Sequence, residues 1–252
     1  MKKVFLFLGA LSIATISSCS SDDDSSTNPP ATTDVLVKRE VYQQAGADGF
    51  NFTSDFNYNG KKLVSVVSND GYVENYTYTG NLITKVESFL DGEIDLTETM
   101  TYNTEGQLIS YSELFAGDSS ATVYNFVYNS DDTVTKTQVG TGFTTTYSFS
   151  NDEISQVVQS TGTTYTYTYD TKNSPFKNIT GYAAIADLTA GDHELHGKAR
   201  NILSILNETS TQNYMTNAFI YNANGYPTQA KSIAFFDENT VPSEELTVTY
   251  TY

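Results

Sequence analysis

From about Val35 onward, apolar and polar positions alternate with a period of two, in short runs broken by Asn, Asp and Gly. One pattern recurs: two aromatic or apolar residues spaced by one, a turn cluster, then an aliphatic run spaced by one. It reads Phe56-Asn57-Tyr58, Asn59-Gly60, Leu63-Val64-Ser65-Val66. It returns as Tyr76-Thr77-Tyr78, Gly80-Asn81, Leu82-Ile83-Thr84-Lys85-Val86, and as Met100-Thr101-Tyr102, Glu105-Gly106, Leu108-Ile109-Ser110-Tyr111. Later copies begin at Phe126, Tyr147, Tyr167 and Phe219, and Val248-Thr249-Tyr250-Thr251-Tyr252 is a half copy. The second aromatic falls at positions 58, 78, 102, 128, 149, 169, 221 and 250.

A period of two puts one row of side chains on a buried face and the other in water. Tyr, Thr, Val, Phe and Ile suit a pleated surface, and the Asn, Asp and Gly pairs accept the positive φ that reverses a hairpin. A unit of about 20 residues holds about two strands and two turns. Seven to eight units therefore predict roughly fifteen antiparallel strands in a meander, because a single hairpin is marginal in water and the units must stack. The expected fold is all-β: a large sheet of repeated hairpins, twisted or curled into a half-barrel or solenoid, starting near Val35. The rhythm breaks between residues 181 and 217. Tyr182 to Leu188 has good helix formers and reads as one short helix, Gly191 to Gly197 as a loop, and Ile202 to Leu206 as a strand. Such an insertion would cover one end of the sheet and blunt an exposed edge.

The repeat resembles the YD-repeat (RHS-like) family, in which a Tyr followed by Asp or Asn precedes a Gly-rich turn and a Leu-led strand. The matching pairs are Tyr58-Asn59, Tyr102-Asn103, Tyr128-Asn129, Tyr169-Asp170 and Tyr221-Asn222; Tyr78-Thr79 and Phe149-Ser150 depart from it. The chain is also similar to a group of uncharacterised surface lipoproteins built from such units. Those proteins carry no settled activity, so the resemblance implies a fold and a location only.

The first residues add an address. Lys2 and Lys3 precede an apolar run, Val4 to Ile16, too short to span a bilayer but suited to secretion. The run ends at Ile16-Ser17-Ser18-Cys19 and resembles a bacterial lipoprotein signal, small residues directly before a Cys that is lipidated. Residues 1–18 are then the signal peptide, and residues 19–34 the lipidated Cys and a polar tether. Ser21-Asp22-Asp23-Asp24 looks like the export signal that sends some lipoproteins to the outer face of the outer membrane, with the periplasmic face as the alternative. Acyl chains hold a domain on a membrane at roughly 0.8 kcal/mol per buried methylene. The membrane is thus the first expected partner, and glycan, peptide or protein a possible ligand.

Composition then narrows the chemistry. The chain has 252 residues, 13 basic and 30 acidic, a formal charge of -17. Removal of residues 1–18 takes away two lysines and no acids, leaving 11 basic against 30 acidic, a charge of -19. Such a surface repels nucleic acid and anionic lipid. A single Cys rules out a disulfide framework or a multi-thiolate metal site. The outward rows are rich in Thr, Ser, Asn and Lys, which disfavours a membrane-spanning barrel.

Catalytic signals are thin, and no catalytic residue or cofactor is assigned. Gly-x-Ser-x-Gly and Gly-rich phosphate loops are missing from the sequence. His193 and His196 are the only histidines, a weak metal pair with Asp192 or Glu194 as third ligand; a solvated loop explains them more simply. Glu87, Asp91, Glu93, Asp95 and Glu98 are a thin basis for a carboxylate pair of glycoside-hydrolase type. Asn69-Asp70-Gly71 and Asp131-Asp132 read as turns and lack the ordered ligand series of a calcium loop. The 33 Tyr and Phe would suit sugar or peptide if some rows lie on an open face; otherwise they make cross-strand pairs and fill a core. The functional expectation is a non-catalytic surface binding or scaffold module. The alternatives are a carbohydrate hydrolase and a purely structural coat protein. Convergence of Asp, Glu or His from different repeats in one pocket would favour the enzyme.

Overall fold

The computed structural model describes residues 34–44, 49–186, 188–189, 195–235 and 244–252. The predicted hairpins are present as sixteen strands. The first eight are β1 (Arg39–Gln44), β2 (Asn51–Asn59), β3 (Lys62–Ser68), β4 (Tyr72–Thr79), β5 (Leu82–Leu90), β6 (Glu93–Tyr102), β7 (Leu108–Phe115) and β8 (Thr122–Tyr128). The others are β9 (Val134–Gln138), β10 (Thr144–Ser150), β11 (Glu153–Gln159), β12 (Thr164–Tyr169), β13 (Ile202–Asn207), β14 (Gln212–Tyr221), β15 (Pro227–Ala234) and β16 (Glu244–Thr251). Each pairs antiparallel with the next.

The sheet is neither open nor a solenoid. β1 pairs with β16, Arg39 opposite Thr251 through Gln44 opposite Leu246, and closes the meander into a barrel. Closure gives both edge strands a partner for their backbone groups, which a curled sheet would leave exposed.

The recurring aromatic has a structural reason. In six copies a register shift falls at it, just before Tyr58, Tyr78, Tyr102, Phe149, Tyr169 and Tyr221. Such a bulge re-aims the side chain and bends the strand. The hydroxyls then bind the preceding hairpin: Tyr58 donates to Val37 O (2.7 Å), Tyr102 to Ile83 O (2.5 Å), and Tyr78 accepts from Leu63 N (3.1 Å). Tyr252 donates likewise to Pro227 O at 2.8 Å. The Asn that follows the Tyr shapes the turn. Asn103 Oδ1 accepts the amides of Glu105 and Gln107, and Asn222 Oδ1 those of Asn224 and Tyr226.

The faces sort cleanly. Phe52, Ser54, Phe56, Glu74, Tyr76, Glu98 and Met100 face the interior, so Thr53, Asp55, Asn57, Asn75, Thr77, Thr97, Thr99 and Thr101 face out. Around the barrel, Val248 and Tyr250 are buried, and Thr247, Thr249 and Thr251 take the opposite face. Ion pairs stand on the outer face: Arg39 with Asp55 (2.6 Å), Lys85 with Glu87 (2.9 Å) and Lys231 with Glu245 (2.9 Å).

The break in the repeat falls earlier than its rhythm predicts. It runs from residue 170 to 201, between β12 and β13, and residues 202–207 and 212–221 are strands. The expected helix is a single 3-10 turn, Tyr182–Ala184. Burial decides this segment, and helix propensity does not. Ile185 and Leu188 join Ile83, Val86, Leu108 and Phe126 in one core cluster. Ile179 packs with Leu63 and Val66, and Phe176 and Leu195 pack against Val37, Ala230, Val248 and Tyr250. The segment is therefore a plug in the lumen, not a cover over a sheet edge. Eight strands enclose a space that side chains can fill, whereas sixteen leave a channel. The plug occupies that extra volume at the end of the barrel where residues 34–38 and Tyr252 also lie.

Candidate functional site

The plug does not fill the lumen. A cavity of about 400 Å³ remains between its inner face, at Phe176, Ile179, Tyr182 and Ile185, and the inward rows of β1 to β6. It reaches Phe52, Ser68 and Tyr72, at the strand ends remote from the plug. Three carboxylates line it: Glu40 from β1, Glu74 from β4 and Glu98 from β6.

Strand register brings them there. Glu40 stands opposite Ser54, and Ser54 opposite Ser68. Glu74 stands opposite Ser88, and Glu98 opposite Glu113. An interior otherwise aromatic and aliphatic thus carries a polar belt across seven neighbouring strands. Glu40 is 2% exposed. Each carboxylate is held by tyrosine: Tyr42 donates to Glu40 (2.6 Å), Tyr76 to Glu74 (2.6 Å) and Tyr111 to Glu98.

Burial raises the Glu40 carboxyl to about 7, against the hydrogen bond from Tyr42 and helped by Glu74. Glu74 is also pushed up by burial, with Tyr76 and Tyr72 pulling the other way. Glu98 rises for the same first reason, with Tyr111 opposing and Glu74 and Glu113 adding repulsion. Lys136 on β9 faces Glu113 but belongs to the plug contact: its Nζ donates to Leu188 O (3.2 Å) and lies 4.3 Å from the Tyr124 ring centre.

Of the residues singled out in the sequence, Cys19, Ser21, Asp22, Asp23, Asp24 and His193 lie outside the described residues. His196 is not a solvated loop residue. It is 5% exposed, with Nδ1 bonded to Asn201 Oδ1 (2.9 Å) and Nε2 to the Tyr250 hydroxyl (2.7 Å). Both ring nitrogens are engaged in the core, so the metal reading of His196 is corrected to a structural one. Among the described residues no group of three or more His, Cys, Asp and Glu is placed to hold a metal ion.

The acidic stretch 87–98 divides. Glu98 enters the cavity, Glu87 pairs with Lys85 on the outer face, and Asp91 sits in a turn with φ 52°. Asp70 and Asp131 cap turns, accepting the amides of Tyr72 and Thr133. Among the tyrosines of the repeat, Tyr58, Tyr76, Tyr78 and Tyr102 pack against the core, whereas Tyr128 is exposed.

Sequence reasoning missed Glu40 and Glu74. Their signal was present: Glu40-Val41-Tyr42 and Tyr72-Val73-Glu74-Asn75-Tyr76 put a charge in the aromatic row of a period-two pattern, where hydrophobic side chains are the rule.

No protein-family model matches the chain, and no curated protein matches it. Among solved structures it is similar to a porin-like protein from Bacteroides uniformis, with a TM-score of 0.57, 15% identity, and coverage of 87% of this chain and 97% of that one. A porin-like protein from Bacteroides vulgatus gives a TM-score of 0.49 at 11% identity, covering 86% of this chain and 99% of that one. At such identity the first of these likenesses speaks for the barrel fold alone.

Proposed function

We propose that this protein is a surface-anchored, non-catalytic binding module: a water-facing barrel, held by lipid on Cys19 at the outer membrane and displayed toward the cell exterior, that receives a small ligand in its cavity. The assignment of its repeats to the YD-repeat type, and of residues 1–18 to a cleaved signal, belongs to the same reading. One observation carries it. The barrel has aromatic rows inside, and outside Thr, Ser and ion-paired charge are interspersed with exposed apolar side chains such as Val64, Ile109, Val127 and Ile220, whereas a membrane-spanning barrel presents an apolar band to lipid. A Lys or Arg at mid-bilayer costs about 2–4 kcal/mol, and Arg39, Lys85 and Lys231 all stand on outward faces. Membrane attachment must then come from the acyl group.

The test is fractionation with acyl labelling. The native chain should take up labelled fatty acid and sediment with outer membrane. Cys19→Ser should lose the label and be recovered without detergent in the soluble fraction. A Cys19→Ser chain that still needs detergent would mean that the strands themselves cross the bilayer.

A hydrolase is the second reading, favoured by the convergence of Glu40, Glu74 and Glu98 from separate hairpins. It is the weaker one on electrostatics. Acid and base pairs work when their environments push two carboxyls apart, whereas here all three move the same way. Release of reducing sugar from a glycan panel would establish it.

A further inference from the structure

We infer that the cavity takes a small organic cation, an amine with an aromatic or aliphatic body, through Glu40, Glu74 and Glu98. This rests on the reading of the protein as a binding module and names its ligand class.

Three acids line the cavity, and among the described residues no Lys, Arg or His does. Eleven basic residues follow residue 33 in the sequence, and the engagements they show lie elsewhere. Arg39, Lys61, Lys85 and Lys231 pair with acids at the surface. Lys62 donates to Gly80 O, Lys136 to Leu188 O and Lys177 to Asn173 Oδ1; Lys198 lies over the Phe149 ring. The stretches 45–48, 190–194 and 236–243 contain no Lys or Arg, and their one basic side chain is His193. Among the described residues, no Lys or Arg lines this cavity beside its buried acids.

Glu40 gives the second, independent sign. Its side chain is 98% buried by the complement of its 2% exposure, and it faces the cavity. Tyr42 donates to its Oε2 at 2.6 Å. Tyrosine hydroxyls satisfy some lone pairs on these acids but bring no charge. Buried carboxylates are normally paired or bound to metal, and no metal cluster is present among the described residues. A cationic ligand satisfies both demands, for charge and for donors, with charge-assisted hydrogen bonds. The rest of the wall suits its body: Phe56, Tyr76, Phe176 and Tyr182 offer ring faces that attract a cation. The volume lies at the lower end of the range for small-molecule sites.

The experiment uses the full chain carrying Cys19→Ser and isothermal titration. The probes are phenethylamine and tryptamine, each beside its neutral alcohol, 2-phenylethanol or tryptophol, with spermidine and a neutral glycan panel. The expected result is saturable amine binding, at least about tenfold tighter than the matched alcohol, and weakened at least about tenfold by Glu74→Gln, the loss of one hydrogen bond to a charged group. Glu87→Gln on the outer face of β5 should leave it unchanged. Equal affinity for amine and alcohol overturns the inference, as does the absence of amine binding. The unmodified cavity already decides this comparison should a variant not fold. If glycans bind and amines do not, the ligand class falls and the binding module stands. If Cys19→Ser remains in the membrane, it is the module that falls.

Discussion

At the scale of single residues the cavity acids are the feature with consequences in solution. Burial holds Glu40 at about 7, above its ordinary 4.5. Between those values the folded protein keeps a proton that the unfolded chain has lost. Its contribution to stability is therefore complete below about pH 4.5 and is lost as pH rises through 7; at pH 8 the difference is about 3 kcal/mol. Glu74 and Glu98 act in the same direction. Urea unfolding at pH 5 and pH 8 should show the native chain less stable at pH 8, and Glu40→Gln should reduce that gap by stabilising the pH 8 form. A larger gap in the variant would contradict the burial argument. Gly181 is a second residue with a definite demand. Its φ is 79°, and a Cβ there would lie 2.7 Å from Asn81 O and 3.1 Å from Ile83 N. Both contacts are backbone and cannot swing aside. Gly181→Ala is expected to cost at least about 2 kcal/mol, from the left-handed backbone and the clash together, measured by the same unfolding method.

At the scale of elements the plug is the part that distinguishes this barrel from a ring of hairpins. One end of it is fastened by Glu153 at the start of β11. That side chain is 2% exposed, and its carboxylate accepts the amides of Lys198 (3.1 Å), Ala199 (2.9 Å) and Arg200 (2.9 Å). Gly197 passes so close that a Cβ would lie 2.3 Å from Glu153 Oε2. Further along, Thr180 N bonds Lys61 O (2.9 Å) and Asn178 Nδ2 bonds Val35 O (2.9 Å). Glu153→Ala removes the three-amide clasp and should cost about 2–4 kcal/mol. Hydrogen exchange at residues 198–200 should accelerate more than exchange in β4 or β5, because the latch is local while the strand ladders persist. Uniform acceleration over the whole barrel would show instead that plug and wall unfold as one unit.

At the scale of the molecule, the closed sixteen-strand barrel carries a plug in its lumen, and on the proposed reading it is a container and not a conduit. Reconstituted with planar bilayers, the full chain should give no steady ionic conductance, even though its fold resembles porin-like structures. Stable single-channel steps would reverse that assignment. Closure also concentrates the acids. The three cavity carboxylates come from residues as far apart as 40 and 98, and they meet because strands adjacent in sequence stay adjacent in space.

The residues by themselves determined the all-β class, the hairpin unit, the turns at Asn and Asp, and the inward row of aromatics, since each depends on neighbours within about 20 positions and on the two-residue period of a strand. The polar outer row at Thr97, Thr99 and Thr101 was legible for the same reason. Only the tertiary structure decided that Arg39 to Gln44 meets Leu246 to Thr251, because ring closure depends on twist accumulated over all the strands and leaves no local mark. It also decided that Phe176, Ile179, Ile185 and Leu188 turn inward, that His196 is buried between Asn201 and Tyr250, and that Glu40, Glu74 and Glu98 share one cavity. Those are consequences of a lumen too wide for the strand side chains to fill, a volume that exists only once the sheet has closed.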